Sequence, residues 1–135
     1  MKGLHVGGKR KSSIARATIK QGKGKGKVRV NNLLLDCYEP KLARLKIKEP
    51  LILAGDIANK VDIDVNVRGG GYMSQAEAAR LVVATALVGF TKNSKLEETF
   101  QKYDRQLLVA DVRRKETRKP NRHSKARAKR QKSYR

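Results

Sequence analysis

Val61-Asp62-Ile63-Asp64-Val65-Asn66-Val67-Arg68 runs through Gly69-Gly70-Gly71 into Tyr72-Met73-Ser74-Gln75-Ala76-Glu77-Ala78-Ala79-Arg80-Leu81. Val61, Ile63, Val65 and Val67 fall on one side and Asp62, Asp64, Asn66 and Arg68 on the other. That alternation predicts a strand with one buried face and one face that is wet or against a partner. The three glycines end it. Ser74 with Glu77 three residues later predicts a capping box, and Gly89 suits the C-terminal stop of the helix that follows. Rich in alanine and apolar on most sides, this helix is expected to lie deep against a sheet.

Upstream, Ser12 to Lys20 is β-branched and loosely alternating, and Lys27 to Asn31 alternates strictly. Gln21-Gly22-Lys23-Gly24-Lys25-Gly26 between them reads as a hairpin tip. From Tyr38 to Gly55 the pattern is helical, with Pro40 in the first turn and Leu42 and Leu45 on one side. Pro50 is expected to break it, leaving a second short helix through Leu51, Ile52 and Ala54 that stops at Gly55. Downstream, Lys95 to Tyr103 predicts a helix with Leu96, Thr99, Phe100 and Tyr103 as a stripe. Leu107 to Val112 follows as a short strand or extended segment. No internal repeat occurs.

The 135 residues carry a net charge of +21, and its distribution is uneven. Residues 1–35 hold ten Lys or Arg and no acid, and residues 113–135 hold twelve with one acid, Glu116. The middle, 36–112, has eleven of each sign. Clustered like charge opposes compaction, whereas a polyanion partner explains it, because each phosphate contacted releases condensed counterion. The length allows one domain, expected over 1–112. The basic tail, 113–135, lacks the apolar surface to fold alone. Cys37 stands alone, so neither an intramolecular disulfide nor a cysteine zinc site is expected. The N-terminus lacks the apolar stretch of a secretion signal. Leu81 to Phe90, the longest apolar run, is about half a membrane span. A soluble, cytoplasmic protein with no membrane partner is the expectation.

Catalytic machinery is hard to find. His5 and His123 lie in basic segments without ligand-spaced neighbours. Asp62 and Asp64 share a strand face and could pair, although a solvated face or counterions for Lys and Arg account for them as well. The Gly22–Gly26 stretch fails the P-loop pattern. Lys23, Lys25 and Lys27 there suit phosphate backbone, and equally a merely mobile tip. Gly69, Gly70 and Gly71 precede a helix N-terminus and could serve an anion or simply a sharp turn.

The ends carry the stronger signal. Lys9, Arg10, Lys11 and Arg16 lie at one end. At the other come Arg113, Arg114, Lys115, Arg118 and Lys119, then Arg122, Lys125, Arg127, Lys129 and Arg130 beyond the helix-breaking Pro120-Asn121. With two Phe, four Tyr and no Trp, the chain lacks a stacking platform for single strands. Contacts should run to phosphate and ribose, which suits folded structural RNA. A general DNA-binding protein shares the charge argument, and an enzyme on an anionic substrate would need a nucleophile or metal cluster.

Gly8-Lys9-Arg10-Lys11-Ser12-Ser13-Ile14-Ala15-Arg16-Ala17 resembles the opening of the universal small-subunit ribosomal protein nine family. Val67-Arg68-Gly69-Gly70-Gly71 followed by Ser74-Gln75-Ala76-Glu77-Ala78-Ala79-Arg80-Leu81 is similar to its glycine and Gln-Ala signature. Arg118-Lys119-Pro120, Lys125-Ala126-Arg127 and the closing Gln131-Lys132-Ser133-Tyr134-Arg135 resemble its tail, and Lys-Ser-Tyr-Arg the archaeal and eukaryotic branch. Val82 stands where a glycine is common and Thr85 where a basic residue is frequent. The resemblance implies an α/β fold, an α+β two-layer sandwich like the second domain of ribosomal protein five, with an extended basic tail. It implies a non-enzymatic structural constituent of the small subunit head, without cofactor or homo-oligomer. Small-subunit ribosomal RNA would be bound by the cations named above, with Arg68, Gly69–Gly71 and Gln75. Neighbouring head proteins and peptidyl-site tRNA are the other implied partners, the tRNA touched by Arg135, Tyr134 and Lys132.

Overall fold

In a computed structural model, residues 3–22, 26–121, 125–127 and 134 are described. The alternating segments become five strands: β1 (Leu4–Arg10), β2 (Ser13–Gln21), β3 (Val28–Val30), β4 (Leu33–Leu34) and β5 (Val61–Arg68). They form one mixed sheet in the order β1-β2-β5-β3-β4. Four helices accompany it: α1 (Lys41–Ala54), α2 (Asp56–Asn59), α3 (Tyr72–Thr91) and α4 (Ser94–Tyr103). Ala15, Ala17, Ile19, Val30, Ile63, Val65 and Val67 turn one sheet face inward, and Ala76, Ala79, Val82, Val83, Ala86 and Leu87 of α3 are buried in the same core. Helix α1 packs on α3, adding Ala43 and Ile47. This is the expected α+β arrangement, with the opposite sheet face open.

Strands β2 and β3 are not hairpin partners as their spacing suggested. Strand β5 lies between them, antiparallel to β2 with Ala17 opposite Val65, and parallel to β3 with Val30 opposite Val65. The Gly22 amide donates to Lys60 O and Ile63 N donates to Lys27 O, both at 2.9 Å, so Gly22 and Lys27 flank the start of β5 from opposite sides. Alternation reveals which face a strand buries, not which neighbour it pairs with. Beyond β3, the Asn31 side chain accepts from Val67 N (2.8 Å) and donates to Val67 O (3.3 Å), continuing the ladder with an amide of its own. Strand β1 was not anticipated, because its apolar positions are only Leu4, Val6 and Gly8. It pairs with Ser13 to Ile19 of β2 across a two-residue turn at Lys11-Ser12.

Helix α1 passes through Pro50 unbroken. Proline removes one helical hydrogen bond, yet its ring is fully buried in the core, and tertiary packing outweighs that loss. Helix α3 starts at Tyr72 with Gly71 at the N-cap, three residues before the Ser74 cap that the spacing predicts. Ser74 therefore sits inside the first turn, where its Oγ accepts from Gly71 N (3.2 Å) and donates to Gly71 O (2.9 Å). Glu77 has no capping role and reaches other elements. At the far end the helix runs past Gly89 to Thr91 and closes on Lys92 in the left-handed region. Gly89 instead lies against Leu4, whose Cδ2 would be 3.0 Å from an added Cβ. On α4, Leu96 and Phe100 are buried while Thr99 and Tyr103 are exposed, so only half the anticipated stripe faces the core. Leu107 ends a 3-10 turn, and no strand follows it among the described residues.

The turn from β5 into α3 is fixed by two glycines. Gly69 and Gly70 have φ of +76° and +68°, and a Cβ on Gly70 would lie 2.2 Å from Ser13 Oγ and 2.6 Å from Ser74 Oγ. Ser13 is buried and donates to Gly69 O at 2.7 Å, which locks the β1–β2 turn onto the helix start. Gly71 has φ −96° and open space around it. Gly70→Ala should therefore destabilise the protein by about 2–4 kcal/mol through backbone strain and overpacking. Gly71→Ala should stay within about 0.5 kcal/mol of wild type, as at an ordinary surface position. Urea unfolding midpoints of the two variants measure the contrast.

Candidate nucleic-acid interface

The open sheet face is read row by row from the strand register. Lys9 lies opposite Ile14, and Ile14 opposite Arg68; Gly7 opposite Arg16, and Arg16 opposite Asn66. A third row runs His5, Thr18, Asp64 and Arg29. Arg16, Arg68 and Arg29 are exposed, and nothing lies within 4 Å of where a Gly7 Cβ would stand. The face is thus flat near Gly7 and carries four cations, Lys9, Arg16, Arg29 and Arg68, against the one carboxylate of Asp64 in these rows, with Ile14 as an apolar patch. Asp62 accepts the Lys27 N–H at 2.9 Å, a structural use that explains one of the two strand carboxylates without chemistry. His5 meets Thr18 Oγ1 at 3.0 Å through Nδ1. Among the described residues no group of three or more potential metal ligands occurs, and no helix is long and apolar enough to cross a membrane.

At one end of this face the two basic segments meet. Lys9, Lys11 and Ser12 on the β1–β2 hairpin and Arg113, Arg114 and Lys115 at the start of the tail line one open concavity of about 670 Å³. Beneath it lies an ion-pair cluster that the sequence did not reveal. Arg10 Nε donates to Glu77 Oε2 at 2.7 Å, and its Nη1 lies 3.2 Å from Asp111 Oδ2. Asp111 Oδ1 also accepts the Arg113 amide at 2.9 Å, while Arg113 Nη2 donates to Oδ2 at 2.6 Å. Lys46 of α1 stands 3.7 Å from Glu77. Arg10 is thus an internal tie, only 14 % exposed, whereas the Arg113 side chain is 76 % exposed. The signal for Asp111 was its place two residues before an Arg at the tail boundary, an Asx-turn spacing.

A second tie holds the helices. Arg80, 8 % exposed, places Nη1 2.8 Å from Asp104 Oδ2 after α4, and Nη2 2.6 Å from Glu49 Oε2 of α1. The Arg of the signature helix is therefore structural. Thr85 is half-buried and donates to Leu81 O at 2.9 Å. Val82 is buried beside Gly8, where a Cβ would lie 2.7 Å from its Cγ1, so strand and helix approach closely here.

Gln75 donates to Gly69 O at 3.1 Å, and the turn itself accounts for Gly69 and Gly70. Gly71 is exposed at the helix start with no internal need to be small. Arg114, Lys115, Arg118, Lys119, Lys125 and Arg127 are exposed. The Lys119 amide donates to Lys125 O at 3.2 Å around the Pro120-Asn121 turn. Tyr134 is 87 % exposed. Lys23, Lys25, Arg122, His123, Lys129, Arg130, Lys132 and Arg135 lie outside the described residues.

Residues 8–135, containing every one of these ties, match the family described as Ribosomal protein S9/S16. The chain belongs to that family. It is 50% identical to the small ribosomal subunit protein uS9 of Methanococcus maripaludis strain C7 and to that of Methanococcus vannielii, over 136 residues and the whole of each chain. Membership makes it a structural, non-enzymatic constituent of the ribosome, which disposes of the carboxylates and histidines as catalysts.

Hydrogen bonds from the Arg113 side chain and amide, with Arg10 nearby, hold the Asp111 carboxyl well below the usual carboxylate range. Burial works to raise Asp104, but the Gln106 amide and Arg80 together hold it down. A depressed carboxylate contributes stability that is complete above the unfolded value near 3.9 and disappears as pH falls through the folded one. Acidification below about pH 4 should thus lower the melting temperature progressively, and Asp111→Asn should flatten that acid limb. Calorimetric melts across the acid range read both.

Proposed function

We propose that this protein is a structural constituent of the small ribosomal subunit that binds ribosomal RNA in the subunit head and reaches peptidyl-site tRNA with its C-terminal tail. The compact part, 1–112, serves as the mount, and 113–135 as the arm that it aims. The observation that carries this reading is the meeting of the Lys9–Lys11 and Arg113–Lys115 segments beside an otherwise neutral core. Full-length likeness to two proteins named as small ribosomal subunit protein uS9 supports the subunit.

The mechanism is charge neutralisation. Each phosphate paired with Lys or Arg releases counterions, so affinity comes from number and placement of cations and not from base reading. Exposed Arg16, Arg68 and Lys11 supply contacts from the mount, and Lys27 and Gly71 offer further approaches for backbone. From the arm, Arg118, Lys119, Lys125 and Arg127 continue the track, and Arg135, Tyr134 and Lys132 are assigned to the anticodon stem-loop. In the cytoplasmic ribosome one copy serves each subunit, beside neighbouring head proteins.

Deleting Lys132–Arg135 should speed tRNA dissociation from the peptidyl site while leaving subunit assembly intact. Dissociation kinetics on reconstituted subunits test this, and an unchanged rate would count against the tRNA role. Comparable affinity of the intact protein for duplex DNA and folded RNA at matched salt would point instead to a general nucleic-acid binder.

A further inference from the structure

We propose that the hairpin tip and the tail root form one composite site for RNA backbone phosphates, assembled in the free protein by Asp111 acting as a clasp. The inference rests on the RNA-binding reading above and adds to it a built site and a positioning residue.

Lys9 and Lys11 on one side and Arg113, Arg114 and Lys115 on the other line one concavity, with Arg10 beneath it, although the two segments lie about a hundred positions apart in the chain. Like charges at such distances repel, so the free chain should hold its tail root away from the hairpin. A single carboxylate reverses this. Asp111 Oδ2 takes Arg113 Nη2 at 2.6 Å and stands 3.2 Å from Arg10 Nη1, so one charge bridges both segments. Its Oδ1 accepts the Arg113 amide at 2.9 Å, which fixes the chain direction as well as the side chain. Glu77 holds the far edge of Arg10 at 2.7 Å, anchoring the bridge to α3. The Asp111 and Arg10 side chains are both largely buried, so that pair is sheltered from the screening that weakens surface pairs, whereas the Arg113 end of the clasp is exposed.

Arg10 and Arg113 are engaged by the clasp, and the other four cations are left over. Lys9 and Lys11 on one wall and Arg114 and Lys115 on the other remain to meet a ligand. Lys11 has φ +52°, a left-handed conformation that a lysine adopts at a cost and that glycine would take freely. The fold has no use for a cation there, whereas an anion site does. Four cations around one open concavity suit successive phosphates of a backbone more than a single small anion.

The test exploits an opposition of sign. Asp111→Asn raises the net charge by one, so simple charge counting predicts tighter RNA binding at every salt concentration. The clasp predicts binding weaker by about threefold to tenfold, the scale of a lost hydrogen-bonded contact. The probe is a transcript of the small-subunit ribosomal RNA head, titrated with the full chain across a salt series. Spin labels at positions 12 and 117 report whether the tail root separates from the hairpin in the free variant. Lys11→Gly, which relieves the positive φ, should keep the melting temperature and reduce the salt slope by about 0.7 to 0.9, one phosphate contact. Asp111→Asn binding as tightly as wild type or more so, or an unchanged label distance, overturns the clasp while leaving RNA binding in place. Failure of the wild-type chain to bind the transcript would overturn both readings.

Discussion

Thirty-three cations share this chain with only twelve carboxylates, and like-charge repulsion makes the position of each carboxylate decisive. In the compact part most of the ion pairs join elements distant in sequence. Asp36, at the 3-10 turn after β4, takes Lys48 of α1 at 2.5 Å, and its carbonyl receives Arg44. Glu49 and Asp104 converge on Arg80, joining α1 to α4 through α3. Glu77 and Asp111 share Arg10, joining α3 and the tail root to β1. Breaking such a pair leaves a poorly solvated charge behind, a larger loss than the pair's own net contribution. The acids thus determine which cations are internal and, by subtraction, which face a partner.

The same subtraction explains why the sequence was informative about elements and poor about assignments within the basic segments. Strand β5 and helix α4 were legible because periodicity reports burial and each buries one face, and the body of α3 because an alanine-rich run apolar on most sides marks a helix deep in the core. Strand β1 was not, because Gly7, Gly8 and Lys9 carry no apolar alternation; its partner β2 and the α3 surface impose the strand. Pro50 misled because propensity describes an isolated helix, whereas its buried ring belongs to the core of this one. Ser74 and Glu77 had capping spacing, yet the glycine turn placed the helix start earlier and released Glu77 for Arg10. Within Lys9-Arg10-Lys11, nothing local separates the middle residue from its neighbours. Only the fold shows that Arg10 points inward at Glu77 while Lys9 and Lys11 line the concavity.

The glycine run shows how one motif can serve two ends. Gly69 and Gly70 are explained by the turn, since both have positive φ and a Cβ would meet Ser12 O at Gly69 and Ser13 Oγ at Gly70. Gly71 is explained by neither conformation nor crowding. Because the turn locks β2 to α3 through Ser13 and Ser74, it also holds the β1–β2 hairpin tip, and with it Lys11, at a fixed height above the helix. Conformation at the glycines is therefore transmitted to a cation that is remote in sequence.

Placement of this kind governs what a basic arm can do. An arm attached to its mount by one flexible joint would explore many directions, and binding would have to overcome that freedom before any phosphate was met. Fixing the Arg113 amide and guanidinium on one carboxylate removes the freedom at the root, where a small angular error becomes a large displacement farther along. The cost is a run of cations held close together, and it is borne in the free protein by Asp111 and Glu77. On the function proposed above, nucleic acid would meet cations already gathered, and counterion release would be offset by less ordering than a wholly unstructured arm demands.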